Sequence, residues 1–126
     1  MAVFPSTGDR IVVVTGGARG LGLETGRRFA EAGAGVVLAD VDAGVGEEAA
    51  EVLRQKGFRA EFTTLDVRDP DQCDALVDRL ITDFDAIDVW VNNAGVAHKA
   101  AAEVLPREQW QETIDVMLSG AFYCSQ

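Results

Sequence analysis

The chain has 126 residues, of which 48% are hydrophobic and 25% charged, and its formal net charge is −10. That length holds one domain with a modest core, and an acidic balance without any basic stripe excludes a nucleic-acid binder. No apolar run is long enough to span a bilayer, Met1 to Arg10 lacks the pattern of a secretory signal, and Cys73 and Cys124 stand in no metal-ligand spacing, so no membrane partner and no metal site are expected, and the location expected is the cytoplasm.

Arg10 to Val14 reads as the first strand, because consecutive β-branched residues suit a strand buried on both faces. Gly20 to Ala32 reads as a helix ending near Gly33, with Leu21, Phe29 and Ala30 as packing candidates. Gly22 and Gly26 stand four apart on one side and let that helix lie close to the sheet. Gly35 to Ala39 is the second strand, ending at Asp40. A helix with Val45, Ala49, Val52 and Leu53 at helical spacing follows, and Gly57 is its stop.

Arg59 to Leu65 is the third strand. Asp69-Pro70-Asp71-Gln72 starts a helix, with Asp69 as cap, Pro70 at the first position and Gln72 where a capping box places it. Cys73, Leu76, Val77, Leu80 and Phe84 mark one face of that helix, and Cys73 reads as a small core residue. Ile87 to Val91 is the fourth strand and Asn92 to Leu105 a loop. Pro106 opens a last helix with Trp110, Ile114, Met117, Leu118, Ala121 and Phe122 on one stripe. The fold class expected is α/β, a doubly wound, Rossmann-like parallel sheet of about four strands, incomplete, with helices on both faces.

Sheets of this kind bind ligands outside the C-terminal ends of their strands, and each candidate motif sits at such an end. Gly16-x-x-x-Gly20-x-Gly22 follows the first strand and opens the first helix. Glycines there permit a tight turn and close approach of a phosphate, and the helix end is positive. Asp40 follows Gly20 by 20 residues. Its carboxylate can accept from adenosine ribose hydroxyls and repels a 2′-phosphate, although a strand-end or cap aspartate is its plainer use. Arg19 points the other way, since a guanidinium can pair with a 2′-phosphate; an exposed arginine can swing aside, so NAD is expected over NADP. Asp66 can accept from an adenine amino group or serve the turn before the next helix. Asn92-Asn93-Ala94-Gly95, taken alone, is a turn with asparagines able to tie strand ends together.

These four sites, in this order, resemble the short-chain dehydrogenase/reductase family. The matching residues are Thr15-Gly16-Gly17-Ala18-Arg19-Gly20-Leu21-Gly22, Asp40, Asp66-Val67 and Asn92-Asn93-Ala94-Gly95, with Asp115 to Phe122 similar to the family's helix after the fourth strand. The resemblance implies that Gly16, Gly20, Leu21 and Gly22 surround a pyrophosphate. It implies that Asp40 and its neighbour Val41 meet the ribose, that Asp66 and Val67 meet the adenine, and that Asn93, Ala94 and Gly95 line the cofactor's other side. It further implies hydride transfer between a nicotinamide and a small alcohol or carbonyl substrate, in a homo-oligomer that often pairs through the helix beginning near Pro106.

The family's serine and Tyr-x-x-x-Lys segment lie beyond the helix on which this chain ends. Tyr123 and Ser125 read as helix residues, so no catalytic residue is assigned. The family's Asp-Val-Asn-Leu is here Asp115-Val116-Met117-Leu118, and a methionine cannot hold a relay water; its plainer use is to fill core space. His98 reads as a solvated loop residue. The expectation is therefore a single dinucleotide-binding domain over residues 1–126 that stops before the catalytic segment, inactive by itself. Its fourth strand is left without a neighbour, so a marginal or associating chain is expected. The alternative is a non-catalytic NAD-binding or interaction module without the Ser/Tyr/Lys machinery.

Overall fold

A computed structural model describes residues 10–126. Four parallel strands, β1 (Ile11–Thr15), β2 (Gly35–Asp40), β3 (Ala60–Thr64) and β4 (Val89–Val91), form one sheet in the order β3-β2-β1-β4. The helices are α1 (Gly20–Glu31), α2 (Ala43–Gln55), α3 (Pro70–Phe84) and a last helix in two parts, α4 (Arg107–Ile114) and α5 (Gly120–Ser125), joined by a π-helical turn, Asp115–Ser119. The order reverses at β1: β2 lies on one side and β4 on the other. That reversal opens a crevice above the C-terminal end of β1, where doubly wound sheets take their ligands.

The central strands are buried on both faces, which is why β1 and β2 read as continuous apolar runs. Alternate residues divide between two cores. Ile11, Val13, Val37 and Ala39 pack with Cys73, Leu76 and Leu80 of α3 and with Cys124. Val12, Val14, Val36 and Leu38 pack under α1 and α2 with Ala30, Ala50 and Leu53. Helices on both faces of the sheet are what this strand chemistry requires.

The helix ends follow local rules. Asp42 caps α2 by accepting from the Val45 N–H at 3.2 Å, and Asp69 caps α3 by accepting from Asp71 and Gln72 N–H groups. Gln72 does not close a capping box; it donates to the Asp69 carboxylate and accepts from the Asp66 N–H, tying the cap to the turn after β3. Gly33 and Gly57 carry the positive φ that ends α1 and α2.

Three packing expectations are corrected. Leu21 is 81% exposed, because the first turn of α1 projects past the sheet. In α2 the buried residues are Gly46, Ala50 and Leu53, while Val45 and Val52 are exposed; small residues face the strands because Phe62 of β3 fills the space over Gly46. In the last helix Trp110, Met117, Leu118 and Phe122 are exposed, and Gly120 and Cys124 are buried instead. A stripe counted at 3.6 residues per turn does not survive a π-helical turn, which inserts a residue and rotates everything after it.

Cys73 and Cys124 bring α3 and α5 together, with Sγ atoms 3.6 Å apart. Both are free thiols. Burial pushes both thiols up, Cys124 to about 12. Folding thus favours the protonated form, so this contribution to stability is full below pH of about 9 and lost as pH climbs from there toward 12. The urea midpoint of the chain is expected to fall above pH 9 more steeply than that of Cys124→Ala; parallel profiles would show that the thiol's titration is not coupled to folding.

Candidate functional site

The turn between β1 and α1 is built from glycine for two separate reasons. Gly16 and Gly20 take φ of 64° and 58°, a region costly for residues with a side chain. Gly22 has ordinary φ, but a Cβ there would sit 2.2 Å from the Gly16 carbonyl oxygen and 2.5 Å from Asn93 Nδ2. The helix must therefore lie directly on the turn. Above Gly20 the reverse holds: a Cβ would meet no atom within 4 Å. No side chain caps α1, whereas Asp42 and Asp69 cap α2 and α3. The N–H groups opening α1 thus border clear space, with the positive end of the helix behind them.

Asn93 locks this turn to the end of β4. Its Nδ2 donates to the Thr15 and Gly16 carbonyls at 3.1 and 3.2 Å. The buried Thr15 hydroxyl accepts from the Asn93 and Ala94 N–H groups at 3.1 and 3.0 Å and donates to the Val91 carbonyl. Sequence reasoning expected strand-end ties from the asparagines and found the residue; it did not single out Thr15 as the other half. Asn92 turns the other way and donates to the Ser125 hydroxyl.

A cavity of about 170 Å³ opens beside this junction at the C-terminal ends of the strands. Gly16, Asp40 and Val41 line one side, Asp66 and Val67 another, and Ala94 and Gly95 a third. The expected site residues Arg19, Gly20, Leu21, Gly22 and Asn93 do not line it. They form the turn and rim next to it. Sequence reasoning missed Arg68, Val96, Glu112 and Val116, which complete the wall. Arg68 carried a signal: it stands two residues after Asp66, close enough to pair with it.

The carboxylates of the site are held in place. Asp40 accepts from the Ala18 N–H through Oδ2 and from the Asp42 N–H through Oδ1, both at 3.1 Å, so one side chain joins the β1–α1 turn to the loop after β2. Asp66 receives the Arg68 guanidinium on both oxygens, with Nη2 to Oδ2 at 2.6 Å. The hydrogen bonds from the Arg68 side chain hold the Asp66 carboxyl below the usual carboxylate range against the opposing effect of burial. Arg19 pairs with Asp42.

Two loop residues differ from expectation. His98 is not simply solvated: its Nε2 lies 2.7 Å from Glu112 Oε2, which ties the loop after β4 to α4. Met117 does not fill core space. It is 52% exposed, and its Cε reaches 3.7 Å from where a Gly95 Cβ would stand, so it covers the glycine rather than the core.

A larger cavity, about 300 Å³, lies at the opposite ends of the strands beside Ile11, Gly35, Phe58 and Phe84. Its charged residues Arg54 and Glu61 are already engaged, with Glu47 and Glu51 and with Arg79 respectively. It has no glycine turn or uncapped helix start, so size alone does not make it the site. Among the described residues no group of three or more His, Cys, Asp or Glu side chains is placed to hold a metal, and no helix is long and apolar enough to cross a membrane.

A family model described as short chain dehydrogenase matches residues 10–126. The chain is 41% identical over 119 residues to a cis-4-hydroxycyclohexanecarboxylate dehydrogenase of Sinomonas cyclohexanicum, a match covering 94% of this chain and 47% of that protein. It is 36% identical over 117 residues to an uncharacterised oxidoreductase of Thermotoga maritima, covering 93% and 46%. Among solved structures, a gluconate 5-dehydrogenase from Burkholderia cenocepacia in complex with NADP and tartrate superposes with a TM-score of 0.85 at 34% identity, covering 93% of this chain and 46% of that one. The chain thus spans about half the length of the relatives it matches.

Proposed function

Because this chain belongs to the short-chain dehydrogenase family, we propose that it is the cofactor-binding part of an NAD-dependent oxidoreductase acting on a small alcohol or carbonyl compound. The observation that carries the reading is the start of α1: an uncapped helix end whose glycine turn leaves open space above Gly20. That cradle fits a pyrophosphate, because backbone N–H groups and the helix dipole favour an anion and no side chain stands in the way. Gly16, Gly20, Leu21 and Gly22 would hold the pyrophosphate and Asp40 with Val41 the adenosine ribose. Asp66 and Val67 would meet the adenine, and Asn93, Ala94 and Gly95 the opposite side. The bound nicotinamide supplies a hydride acceptor or donor.

NAD rather than NADP is proposed because Asp40 is fixed by two backbone N–H groups at the cavity wall and cannot turn away from a 2′-phosphate. Catalytic residues are not assigned within residues 10–126. A homo-oligomer is part of the proposal, supported by the exposed Trp110, Leu118 and Phe122, as is a location in the cytoplasm.

Calorimetric titration with ADP-ribose, which carries the pyrophosphate without the nicotinamide, tests the site directly. The wild-type chain is expected to bind it more tightly than its 2′-phosphorylated form. Gly20→Val is expected to lose at least tenfold in affinity, since a branched side chain would occupy the space above the turn. Retained binding in a folded Gly20→Val chain would remove the pyrophosphate assignment.

A further inference from the structure

Asp40 is the acidic residue that the sequence singles out at the ribose, yet the cation at this rim is not directed at it. The Arg19 guanidinium, at the N-cap position of α1, pairs with the carboxylate of Asp42, 23 residues away, at the N-cap of α2. We propose that Asp42 is a positioning residue for cofactor choice: by holding Arg19, it keeps the guanidinium from receiving a 2′-phosphate and so reinforces NAD over NADP. The proposal rests on the cofactor reading given above.

The geometry of the rim carries it. Asp42 divides its two oxygens, with Oδ1 accepting from the Val45 N–H at 3.2 Å and Oδ2 facing Arg19. The cap therefore fixes the carboxylate in the position that captures the guanidinium. The Val45 N–H and then Arg19 hold the Asp42 carboxyl below its ordinary range, so it is charged wherever the chain works. Asp40 links both partners through backbone: its carboxylate accepts from Ala18, next to Arg19, and from Asp42 itself. A phosphate arriving at this rim meets two carboxylates and a guanidinium already paired. A guanidinium released from Asp42 would be a bidentate phosphate ligand.

The pair is exposed, with side-chain exposures of 65% and 41%, so its hold is modest and its effect graded. Asp42→Asn isolates the charge, because asparagine caps a helix as well as aspartate. The experiment measures affinities of the full chain for ADP-ribose and for 2′-phospho-ADP-ribose, in wild type, Asp42→Asn, Arg19→Ala and the double variant. Asp42→Asn is expected to raise the affinity ratio of phosphorylated to unphosphorylated ligand about five-fold. That gain is expected to vanish in the double variant, because it acts through Arg19. A ratio unmoved by Asp42→Asn, with ADP-ribose still bound, overturns this proposal and leaves the NAD reading standing. A gain that persists without Arg19 also overturns it, since simple charge repulsion would then account for the change. Wild-type chain that binds neither ligand overturns both readings.

Discussion

Gly22→Val is expected to be the most damaging single change in this chain, removing on the order of 4 kcal/mol of stability. The new Cβ would stand 2.2 Å from the Gly16 carbonyl oxygen and 2.9 Å from its carbon. Those are backbone atoms, and the third neighbour, Asn93 Nδ2, is itself held by two carbonyls. Nothing there can yield by a rotamer change. The helix must lift from the turn, which separates α1 from the sheet and the turn from β4 together. A loss of this size is a large share of the stability of a small domain. Urea unfolding checks it, with a lowered midpoint expected. ADP-ribose titration of whatever folds should show no binding. A midpoint within error of wild type would mean that α1 does not rest on Gly16. Gly20→Val separates the two effects, since there the added Cβ meets no protein atom within 4 Å.

Leu38→Ala is expected to cost about 3 kcal/mol. Leu38 is fully buried on β2. Its Cδ2 lies 2.6 Å from where a Gly26 Cβ would be, and its Cβ 3.1 Å from the corresponding point at Gly17. One side chain thus supports both the glycine turn and the middle of α1. Removing it leaves a cavity that neighbours Val12, Val14 and Val36 cannot fill, because they are fixed in the ladder. The expected readout is a lower unfolding midpoint with unchanged m-value. A much smaller loss would show that α1 settles into the space, and the turn above it should then bind ADP-ribose less well.

The two experiments bear on the same structural fact. The turn that forms the proposed pyrophosphate cradle is braced from below by β2, from the side by α1 and from β4 by Asn93. A phosphate site made of backbone N–H groups has no side chain to adjust, so its precision comes from this bracing.

Much was legible in the sequence because it depends on residues close together in the chain. The strands β1 and β2 follow from β-branched runs, the start of α3 from Asp69-Pro70, and the ends of α1 and α2 from Gly33 and Gly57. Glycine spacing after β1 marked the turn, since positive φ and close approach are local demands on backbone. The wall residues Asp40, Val41, Asp66, Val67, Ala94 and Gly95 were identifiable because each follows a strand, and the C-terminal ends of parallel strands converge.

What only the tertiary structure decided concerns partners distant in the chain. That Arg19 pairs with Asp42 rather than standing free, that His98 meets Glu112, and that Cys73 touches Cys124 depend on how separate loops and helices approach one another. The exposed stripe of the last helix depends on a π-helical turn that shifts the phase after Ile114, and periodicity counted along the sequence assumes no such shift. The sequence by itself determined the elements and where a ligand would lie, because backbone preference and strand polarity are local. Which charges are free to act there was decided by the fold, because pairing between distant side chains depends on three-dimensional distance, which no residue spacing encodes.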